Sequence, residues 1–89
     1  LKRNRIKIAL ATSAPTENVD WVLDNLQLRP WFDVIVDGSE VENGKPDPEI
    51  YRTTCDRLEV DPANCVVFED SLAGIESGKA AECTVVGVA

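Results

Sequence analysis

Two adjacent carboxylates, Glu69 and Asp70, have the type and setting of a metal-binding pair. They follow a short apolar run at residues 65–68 (CVVF) and precede Ser71, where a segment with helical spacing begins. Carboxylate oxygens are hard ligands of the kind that Mg²⁺ prefers. Acidic residues and serine are also favoured at helix N-termini, because they satisfy free N–H groups and the helix dipole. The pair therefore fits either a Mg²⁺ site, with Glu69 and Asp70 as ligands, or a plain helix cap.

Two further clusters carry groups that suit a phosphate. Thr12 and Ser13 follow an apolar run and precede a helical pattern, so their hydroxyls and N–H groups could hold phosphate oxygens. Lys45 lies in the run GKPDP, where its compact ammonium could neutralise a phosphoryl group. Each cluster also has a simpler interpretation, since a hydroxyl can merely cap a helix and a lysine can be an ordinary surface residue.

The first half of the chain predicts two strands separated by a helix. Residues 6–11 (IKIALA) are apolar enough for a buried strand, and residues 33–36 (DVIV) form a second short strand. Between them, a helix is predicted from about Thr16 by apolar residues at helical spacing. These residues are Val19, Val22, Leu23 and Leu26. Trp31 and Phe32 are expected to close that helix against the next strand.

The second half predicts a helix, a strand and another helix. Asp47 as N-cap and Pro48 as the first helical residue predict a helix that runs to about Leu58. The uninterrupted apolar run at residues 65–68 predicts a strand buried on both faces. Ser71 is the expected N-cap of the helix that follows. The residues of that helix expected to share one face are Leu72, Ile75 and Lys79.

A last apolar run at residues 84–88 (TVVGV) completes an alternation of strands and helices. This alternation predicts an α/β fold with a Rossmann-like, largely parallel sheet, right-handed crossovers and helices on both faces. The three polar clusters should then meet at the carboxyl edge of the sheet, where ligands bind in such folds. A hydroxyl, a cation and an acidic pair together fit phosphoryl transfer, which depends on positioning and charge neutralisation.

Length and composition limit the classes of partner. Eighty-nine residues with 44% apolar content suit one domain, residues 1–89, with a real core. A net charge of −7 argues against nucleic acid or an anionic membrane surface as a partner. No apolar run approaches the ~20 residues of a membrane helix, and no signal peptide is visible. Basic residues that crowd the start indicate a solvated helix end; they are Lys2, Arg3, Arg5 and Lys7.

Cysteine and histidine usage narrows the chemistry and the compartment. Cys55, Cys65 and Cys83 are odd in number and lack a metal-like spacing, which favours small core residues in a reducing, cytoplasmic compartment. The absence of histidine excludes His-based acid–base catalysis and the commonest zinc sites within this sequence. A chain that opens with Leu1 and contains no methionine is expected to be a piece of something longer.

The ordered set of motifs resembles the C-terminal part of the core domain of haloacid dehalogenase (HAD) superfamily hydrolases, most closely the β-phosphoglucomutase-like phosphatase branch. Motif II corresponds to residues 8–13 (IALATS), motif III to residues 44–48 (GKPDP) and motif IV to residues 66–71 (VVFEDS), with Gly74-Ile75 and Ala80-Ala81 beyond it. The resemblance covers essentially all 89 residues. The ordered set is specific, whereas any one motif alone is not.

The resemblance implies a role for each candidate residue. Thr12, with Ser13, would bind the transferring phosphoryl group, and Lys45 would stabilise that group and the nucleophile. Thr12 and Lys45 would thus be the catalytic residues of this chain. Asp70, with Glu69, would bind Mg²⁺. The implied substrate is a small phosphorylated metabolite.

The resemblance also implies parts that the chain lacks. In such enzymes the nucleophile is an Asp that becomes a transient aspartyl-phosphate, with a second Asp two residues on as acid or base. Both belong to a central first strand, between the strands ending at Ala11 and Phe68, and that strand precedes a mobile cap. The chain is therefore predicted to be an incomplete HAD-like core, without that strand and cap and inactive alone. A missing N-terminal segment or an edge-paired copy of the chain is expected to fill the gap.

Other functions stay open on the sequence. A β-phosphoglucomutase-type phosphosugar mutase is disfavoured by Ala14-Pro15-Thr16, where such mutases carry polar and basic residues for a second phosphate. A truncated, non-catalytic HAD-like interaction module would explain the missing nucleophile. A receiver-like domain also uses Asp, Thr and Lys, but no Asp precedes Thr12 in this sequence as that function requires. A true dehalogenase does not use the metal that the Glu69-Asp70 pair suits.

Overall fold

The computed structural model describes residues 6–88, in which strands and helices alternate as predicted. The strands are β1 (Ala9–Ala11), β2 (Val34–Val36), β3 (Val66–Glu69) and β4 (Thr84–Gly87). The helices are α1 (Thr16–Asn25), α2 (Glu49–Leu58) and α3 (Leu72–Ala80). Short 3₁₀ turns lie at Arg29–Trp31, Gly38–Glu40 and Pro62–Asn64. Along residues 6–88, no helix has the length and apolar character needed to cross a membrane.

The strands pair in parallel, in two separate two-stranded sheets. β1 pairs with β2 from Ala9 opposite Val34, and β3 pairs with β4 from Val66 opposite Thr84. Parallel pairing puts the carboxyl ends of both strands of a pair at the same edge, and each pair is joined by a crossover helix. The predicted parallel α/β class is confirmed, and in the described residues the sheet is divided into two halves.

Helix α2 joins the two halves. It packs on both strands of the first sheet and on α3, which in turn packs on both strands of the second sheet. The chain moves outward from β1 to β2 through α1, and then returns past β1 toward β3 through α2. Because crossovers between parallel strands are right-handed, these two opposite directions place α1 and α2 on opposite faces of the sheet. The residues of the shared core are Val36, Ile50, Tyr51, Cys55, Val67, Ala81 and Cys83.

A cleft of about 660 Å³ lies between β1 and β3. Residues 6–11 line one side, residues 64–68 line the other, and Cys55 and Leu58 of α2 also contribute. Within the described residues, β1 and β3 each pair with a strand on one side only, so each presents an open edge. The cleft occupies the position predicted for the absent central strand.

The predicted burial of β3 on both faces is wrong. Val67 and Glu69 are buried, but Val66 and Phe68 are 56% and 71% exposed. Successive side chains of a strand point to opposite faces, and the helices that pack against this sheet, α3 with α2 beside it, lie on one of them. An apolar run therefore identifies the strand but does not establish that both of its faces are covered.

Some element bounds differ from the predicted ones. Helix α2 begins at Glu49, one residue later than predicted, although the Asp47 carboxylate accepts a hydrogen bond from Glu49 N at 2.9 Å, as a cap would. Strand β1 is shorter than predicted and begins at Ala9. The predicted helix end at the basic start lies outside the described residues apart from Lys7, which is not helical.

The apolar face of α1 is only half buried. Val19 and Leu23 are buried, whereas Val22 and Leu26 are exposed. Trp31 is 64% exposed, so the predicted closure of this helix by that residue is wrong, while the adjoining Phe32 is half-buried. A periodic apolar pattern predicts the helix correctly but not how much of its face finds a partner.

Substitution of Gly78 tests how tightly α3 packs on the second sheet. A Cβ at this position would lie 2.7 Å from Val85 Cγ2, and a β-branched side chain has little freedom to move away. Alanine would gain about 0.5–1 kcal/mol over glycine in a helix, but overpacking costs about 1–3 kcal/mol. We expect Gly78→Ala to lower the free energy of unfolding, measured by urea denaturation, by about 1 kcal/mol.

Gly44→Ala is the matched control, because a Cβ at Gly44 would meet nothing within 4 Å. Its stability should stay unchanged or rise by up to about 1 kcal/mol through the lower entropy of the unfolded chain. An unfolding free energy of Gly78→Ala equal to or above that of the wild type would contradict the tight contact between α3 and β4.

Candidate active site

The loop after β1 carries Thr12 and Ser13. Thr12 N donates to the carbonyl oxygen of Val36 at 2.9 Å, which continues the contact between β1 and β2 and fixes the start of the loop. Thr12 Oγ1 accepts a hydrogen bond from Ala14 N at 3.2 Å. A hydroxyl that accepts one bond can still donate its own hydrogen. The half-buried Thr12 hydroxyl and the exposed Ser13 can therefore offer donors to a phosphate oxygen.

The loop after β2 supports the loop after β1. The N–H of Gly38 donates to the carbonyl oxygen of Ala14 at 2.9 Å. A Cβ at Gly38 would lie 2.3 Å from the carbonyl oxygen of Ser13, a distance that backbone atoms cannot accommodate. The close approach thus requires glycine, and it holds the Thr12–Ser13 backbone against the first sheet.

Asp37 anchors this supporting loop. Its buried carboxylate accepts hydrogen bonds from Ser39 N at 2.9 Å and from Ser39 Oγ at 2.5 Å. The hydroxyls of Ser39 and Thr16 lie 2.9 Å apart, which connects the loop to the start of α1. The bond from the Ser39 hydroxyl lowers the pKa of Asp37 and outweighs the opposite effect of burial. In the sequence, the Asp-Gly pair at residues 37–38 is typical of a turn, but it does not reveal this support.

Lys45 and Glu69 form a buried ion pair. Lys45 Nζ lies 2.8 Å from Glu69 Oε2, and the two side chains are 14% and 10% exposed. The Tyr51 hydroxyl donates to the same carboxylate oxygen at 2.7 Å. Lys45 Nζ also lies 5.2 Å from the centre of the Tyr51 ring, within reach of a cation–π contact. The structure therefore brings together the lysine of motif III and the first carboxylate of motif IV.

The second oxygen of Glu69 is held by the start of α3. Oε1 accepts hydrogen bonds from Asp70 N at 3.0 Å, from Ser71 N at 3.3 Å and from Ser71 Oγ at 3.2 Å. Gly74 makes room for the carboxylate, since a Cβ there would lie 2.0 Å from Glu69 Cδ. Ser71 is the N-cap of α3, as predicted. Its Oγ accepts a hydrogen bond from Gly74 N at 3.0 Å.

Opposing effects determine the ionisation of Glu69. Burial raises its pKa, but the hydrogen bonds from Lys45 and Tyr51 and the charge of Lys45 outweigh burial and bring the pKa to about 2. The pKa of the Tyr51 hydroxyl is raised, mainly by burial and then by the neighbouring Glu69 carboxylate. At neutral pH Glu69 is therefore an anion and Tyr51 a protonated donor.

Asp70 is the carboxylate that is open to a metal ion. Its side chain is exposed and, between residues 6 and 88, it forms no hydrogen bond or ion pair, whereas both oxygens of Glu69 are engaged. No three candidate ligands of the described chain are arranged around a common metal position. Mg²⁺ commonly uses one or two carboxylates completed by water and phosphate oxygens. The residues present thus fit part of such a site, and the role of Glu69 as a ligand stays a prediction.

The predicted site residues fall into two groups on either side of the cleft. Thr12 and Ser13 follow β1, while Glu69 ends β3, Asp70 follows it and Lys45 binds Glu69. No hydrogen bond or ion pair between described residues joins the two groups. The cleft lies between the strands that precede the two groups, and none of these five site residues is among the residues that line it.

Tyr51 is a supporting residue that the motifs did not identify, and Gly74 is a residue beyond motif IV to which the resemblance gave no role. Tyr51 lies on the buried face of α2, and a buried tyrosine hydroxyl usually requires a partner, which is the signal that the sequence offers. Gly74 interrupts a helix made largely of better helix formers, which indicates a close contact at that position. Both residues act on the carboxylate of Glu69.

The low pKa of Glu69 predicts acid sensitivity of the fold. A carboxyl whose pKa is lower in the folded chain stabilises the fold above its ordinary pKa of 4.5, and this contribution is lost as the pH falls toward 2. The shift corresponds to roughly 3 kcal/mol. We expect the free energy of unfolding, from urea titrations across this pH range, to fall more steeply for the wild type than for Glu69→Gln, which cannot titrate.

Glu76→Gln is the matched control, because Glu76 is an exposed glutamate on the neighbouring helix α3. It should keep the wild-type dependence of stability on pH. If Glu69→Gln also kept it, the ion pair with Lys45 would not contribute to the acid sensitivity.

Comparison with known proteins identifies the family of the chain. Residues 1–82 match the family of haloacid dehalogenase-like hydrolases. A relative from Thermotoga maritima, a phosphorylated carbohydrates phosphatase, is 52% identical over 81 residues, which cover 91% of this chain and 38% of the relative.

Two solved structures share the fold. A HAD hydrolase of family IA, variant 3, from Entamoeba histolytica has a TM-score of 0.94 at 36% identity, and the match covers 100% of this chain and 41% of that one. A β-phosphoglucomutase from Clostridium difficile has a TM-score of 0.88 at 40% identity, over 99% of this chain and 39% of that one. The chain thus spans about two fifths of the length of these relatives. From the family match over residues 1–82 and the shared fold, the chain belongs to the haloacid dehalogenase-like hydrolases.

Proposed function

We propose that the protein to which this chain belongs is a Mg²⁺-dependent phosphatase that hydrolyses the phosphate ester of a small metabolite. The observation that supports the proposal is that phosphate-suited donors follow β1 and an exposed carboxylate follows β3, at the carboxyl ends of the two strands that border one cleft. Phosphoryl transfer depends on positioning and charge neutralisation, which these groups can supply. The names of the relatives, a phosphatase of phosphorylated carbohydrates and a phosphoglucomutase, agree with a phosphorylated substrate.

Thr12, Ser13 and Lys45 would bind the phosphoryl group. The ammonium of Lys45 has three N–H donors, and its contact with Glu69 uses one of them, so the others can reach a phosphoryl oxygen. The ion pair holds this cation in place before the substrate arrives, which is the condition for efficient electrostatic stabilisation. Asp70, together with Glu69, would hold Mg²⁺, which when bound neutralises phosphate charge.

The nucleophile would be an aspartate on a strand that occupies the cleft. A strand inserted parallel to β1 and β3 would end between Thr12 and Glu69, so a carboxylate at its carboxyl end would face the bound phosphate. Attack of that carboxylate on phosphorus would form an aspartyl-phosphate, which water then hydrolyses. The strand would come from an N-terminal segment of a longer protein, with an edge-paired copy of this chain as the alternative occupant. In either case residues 1–89 alone are expected to be inactive.

The loop after Ser13 favours a phosphatase over a phosphosugar mutase. A mutase needs groups for a second phosphate, and residues 14–16 supply no charged side chain. The hydroxyl of Thr16 is engaged with Ser39, and the carbonyl oxygens of Ala14 and Pro15 are used within the loop and the first turn of α1. Release of free phosphate, rather than conversion of one phosphosugar to another, is the expected outcome with a phosphorylated carbohydrate.

A non-catalytic interaction module is the second candidate. It is favoured by one observation, the open cleft, which could bind a strand from a partner without any chemistry. The two functions differ in whether the occupying strand carries an Asp-x-Asp sequence at its carboxyl end.

We also propose a cytoplasmic location for this protein. The three free cysteines support it, because thiols stay reduced in that compartment.

Lys45→Ala tests the electrostatic role in the full-length protein. Loss of one preorganised cation should lower kcat by roughly 10²–10³, with a smaller change in KM, because the charge it stabilises develops in the transition state. The measurement is steady-state hydrolysis of an aryl phosphate with Mg²⁺. The exposed Lys79 on α3 supplies the control Lys79→Ala, which should keep the wild-type kcat. A loss of thermal stability with kcat unchanged would make Lys45 a purely structural residue.

Asp70→Asn tests the metal site in the same protein. The substitution removes an anionic ligand but keeps the shape of an exposed side chain, so the fold should be retained. The Mg²⁺ concentration for half-maximal activity should rise by at least roughly 10-fold, as expected when a ligand of a divalent cation is lost. Glu76→Gln, on the next turn of α3, serves as the control. An unaltered Mg²⁺ dependence in Asp70→Asn would remove Asp70 from the site and leave the metal part of the proposal without support.

A further inference from the structure

Asn43 is followed by Gly44, and this pair is suited to a reaction within the chain. The backbone nitrogen that follows an asparagine can attack the side-chain amide carbon Cγ and close a five-membered ring. A side chain on the following residue crowds that ring, whereas glycine has none and leaves the backbone the most freedom. Asn43 is the one asparagine of the sequence that precedes a glycine. The phosphatase proposal gives neither residue a role.

The loop leaves both reacting groups open to water. Asn43 and Gly44 are exposed. Within residues 6–88, the N–H of Gly44 donates to no acceptor. A Cβ at Gly44 would meet nothing within 4 Å, so the space beside this residue is open. A base in solution can therefore reach the nitrogen that has to attack.

The other asparagines between residues 6 and 88 lack this freedom; they are Asn18, Asn25 and Asn64. At each of them, the N–H of the following residue donates to a backbone carbonyl oxygen at 3.0 or 3.1 Å. The following residue is also a valine, a leucine or a cysteine, each of which carries a side chain. Sequence and structure thus single out Asn43 by two independent features.

We propose that Asn43 is a deamidation site, at which the chain converts an amide into a carboxylate beside motif III. Base takes the proton of the Gly44 nitrogen, which attacks Asn43 Cγ. The bond from Cγ to Nδ2 breaks, and ammonia leaves after taking up a proton. Water then opens the resulting succinimide ring at either carbonyl, which gives aspartate or isoaspartate. In total one water is consumed and one ammonia is released, with no change of oxidation state.

The product would disturb the contact between this loop and α2. Glu49, the first residue of α2, accepts hydrogen bonds from Glu42 N at 2.9 Å, from Asn43 N at 3.0 Å and from Asn43 Nδ2 at 3.3 Å. The bonds from the two backbone N–H groups lower the pKa of Glu49, which is therefore an anion at neutral pH. Deamidation replaces the Nδ2 donor by a second anion, and like charges repel.

Isoaspartate would disturb the loop further. Its main chain runs through the side-chain carboxyl, which inserts one extra carbon two residues before Lys45. The segment that carries Lys45 would then lose its attachment to α2. Deamidation is thus an ageing reaction that loosens motif III, and its effect on catalysis rests on the proposed function.

The test is incubation of the folded full-length protein in mildly alkaline buffer, until a synthetic peptide of residues 40–52 has lost most of its amide. Cleavage after glutamate then releases residues 43–49 (NGKPDPE) as one peptide, whereas the other three asparagines fall in residues 18–40 and 60–69. In the 43–49 peptide, mass spectrometry should show replacement of NH₂ by OH. An isoaspartate methyltransferase should methylate this peptide, while the other two keep their amides.

Two variants sharpen the test. Gly44→Ala adds a side chain that the loop can hold without a clash, and it should retain the amide of Asn43. Asn43→Asp reproduces the aspartate product. It should speed hydrogen exchange at the backbone N–H groups of residues 42 and 43, which Glu49 protects in the wild type.

The wild-type peptide map needs no variant, so it decides on the site even if a substitution impairs folding. An intact amide at Asn43 after the free peptide has reacted, equal conversion at Asn64, or equal conversion in Gly44→Ala would overturn the deamidation site. Unchanged hydrogen exchange in Asn43→Asp would overturn the loosening of the loop. Because none of these readouts is phosphatase activity, failure here and failure of the proposed function are distinguishable.

Discussion

The contact between Lys45 and Glu69 is the interaction on which the geometry of the candidate site depends. Taking two opposite charges out of water costs several kcal/mol per ion in a protein interior, and the attraction offsets this only when further hydrogen bonds complete the pair. Here the carboxylate also accepts bonds from Tyr51 and from the start of α3. In the described chain, every deeply buried side-chain nitrogen or oxygen has a partner. A shift of motif III against motif IV would leave a buried charge unpaired, so this contact fixes the two motifs together.

Helix α2 transmits that constraint to the rest of the fold, since the two sheets share no ladder in the described residues. Arg52 of α2 donates to the carbonyl oxygen of Ala80 at the end of α3 at 3.2 Å. Lys7 Nζ, just before β1, lies 2.5 Å from the carbonyl oxygen of Leu58 at the end of α2. Through α3 and its own contact with β1, the helix therefore links the two sides of the cleft.

Different side chains lie toward the two ends of the strands that border the cleft. Thr12 and Asp70 lie at the carboxyl ends of β1 and β3, where parallel strands direct their following loops and where anions and metals are bound in α/β folds. The thiols of Cys55 and Cys65 lie toward the amino end of β3. The two sets share no residue, so the polar groups that suit a phosphate are confined to one end of the fold and the thiols to the other.

The order of strands and helices, the parallel class and the three motifs were predictable from the sequence, because periodicity, helix caps and polar residues after strands are properties of near neighbours. The division of roles between Glu69 and Asp70 was not. They are adjacent and chemically alike, yet one is buried against distant residues and the other is exposed, since successive residues at a strand end point to opposite sides. The exposure of Phe68 likewise depends on which element covers its face. The approach of Cys55 to Cys65 depends on where α2 packs relative to the start of β3, and that position is set by long-range packing that no local pattern records.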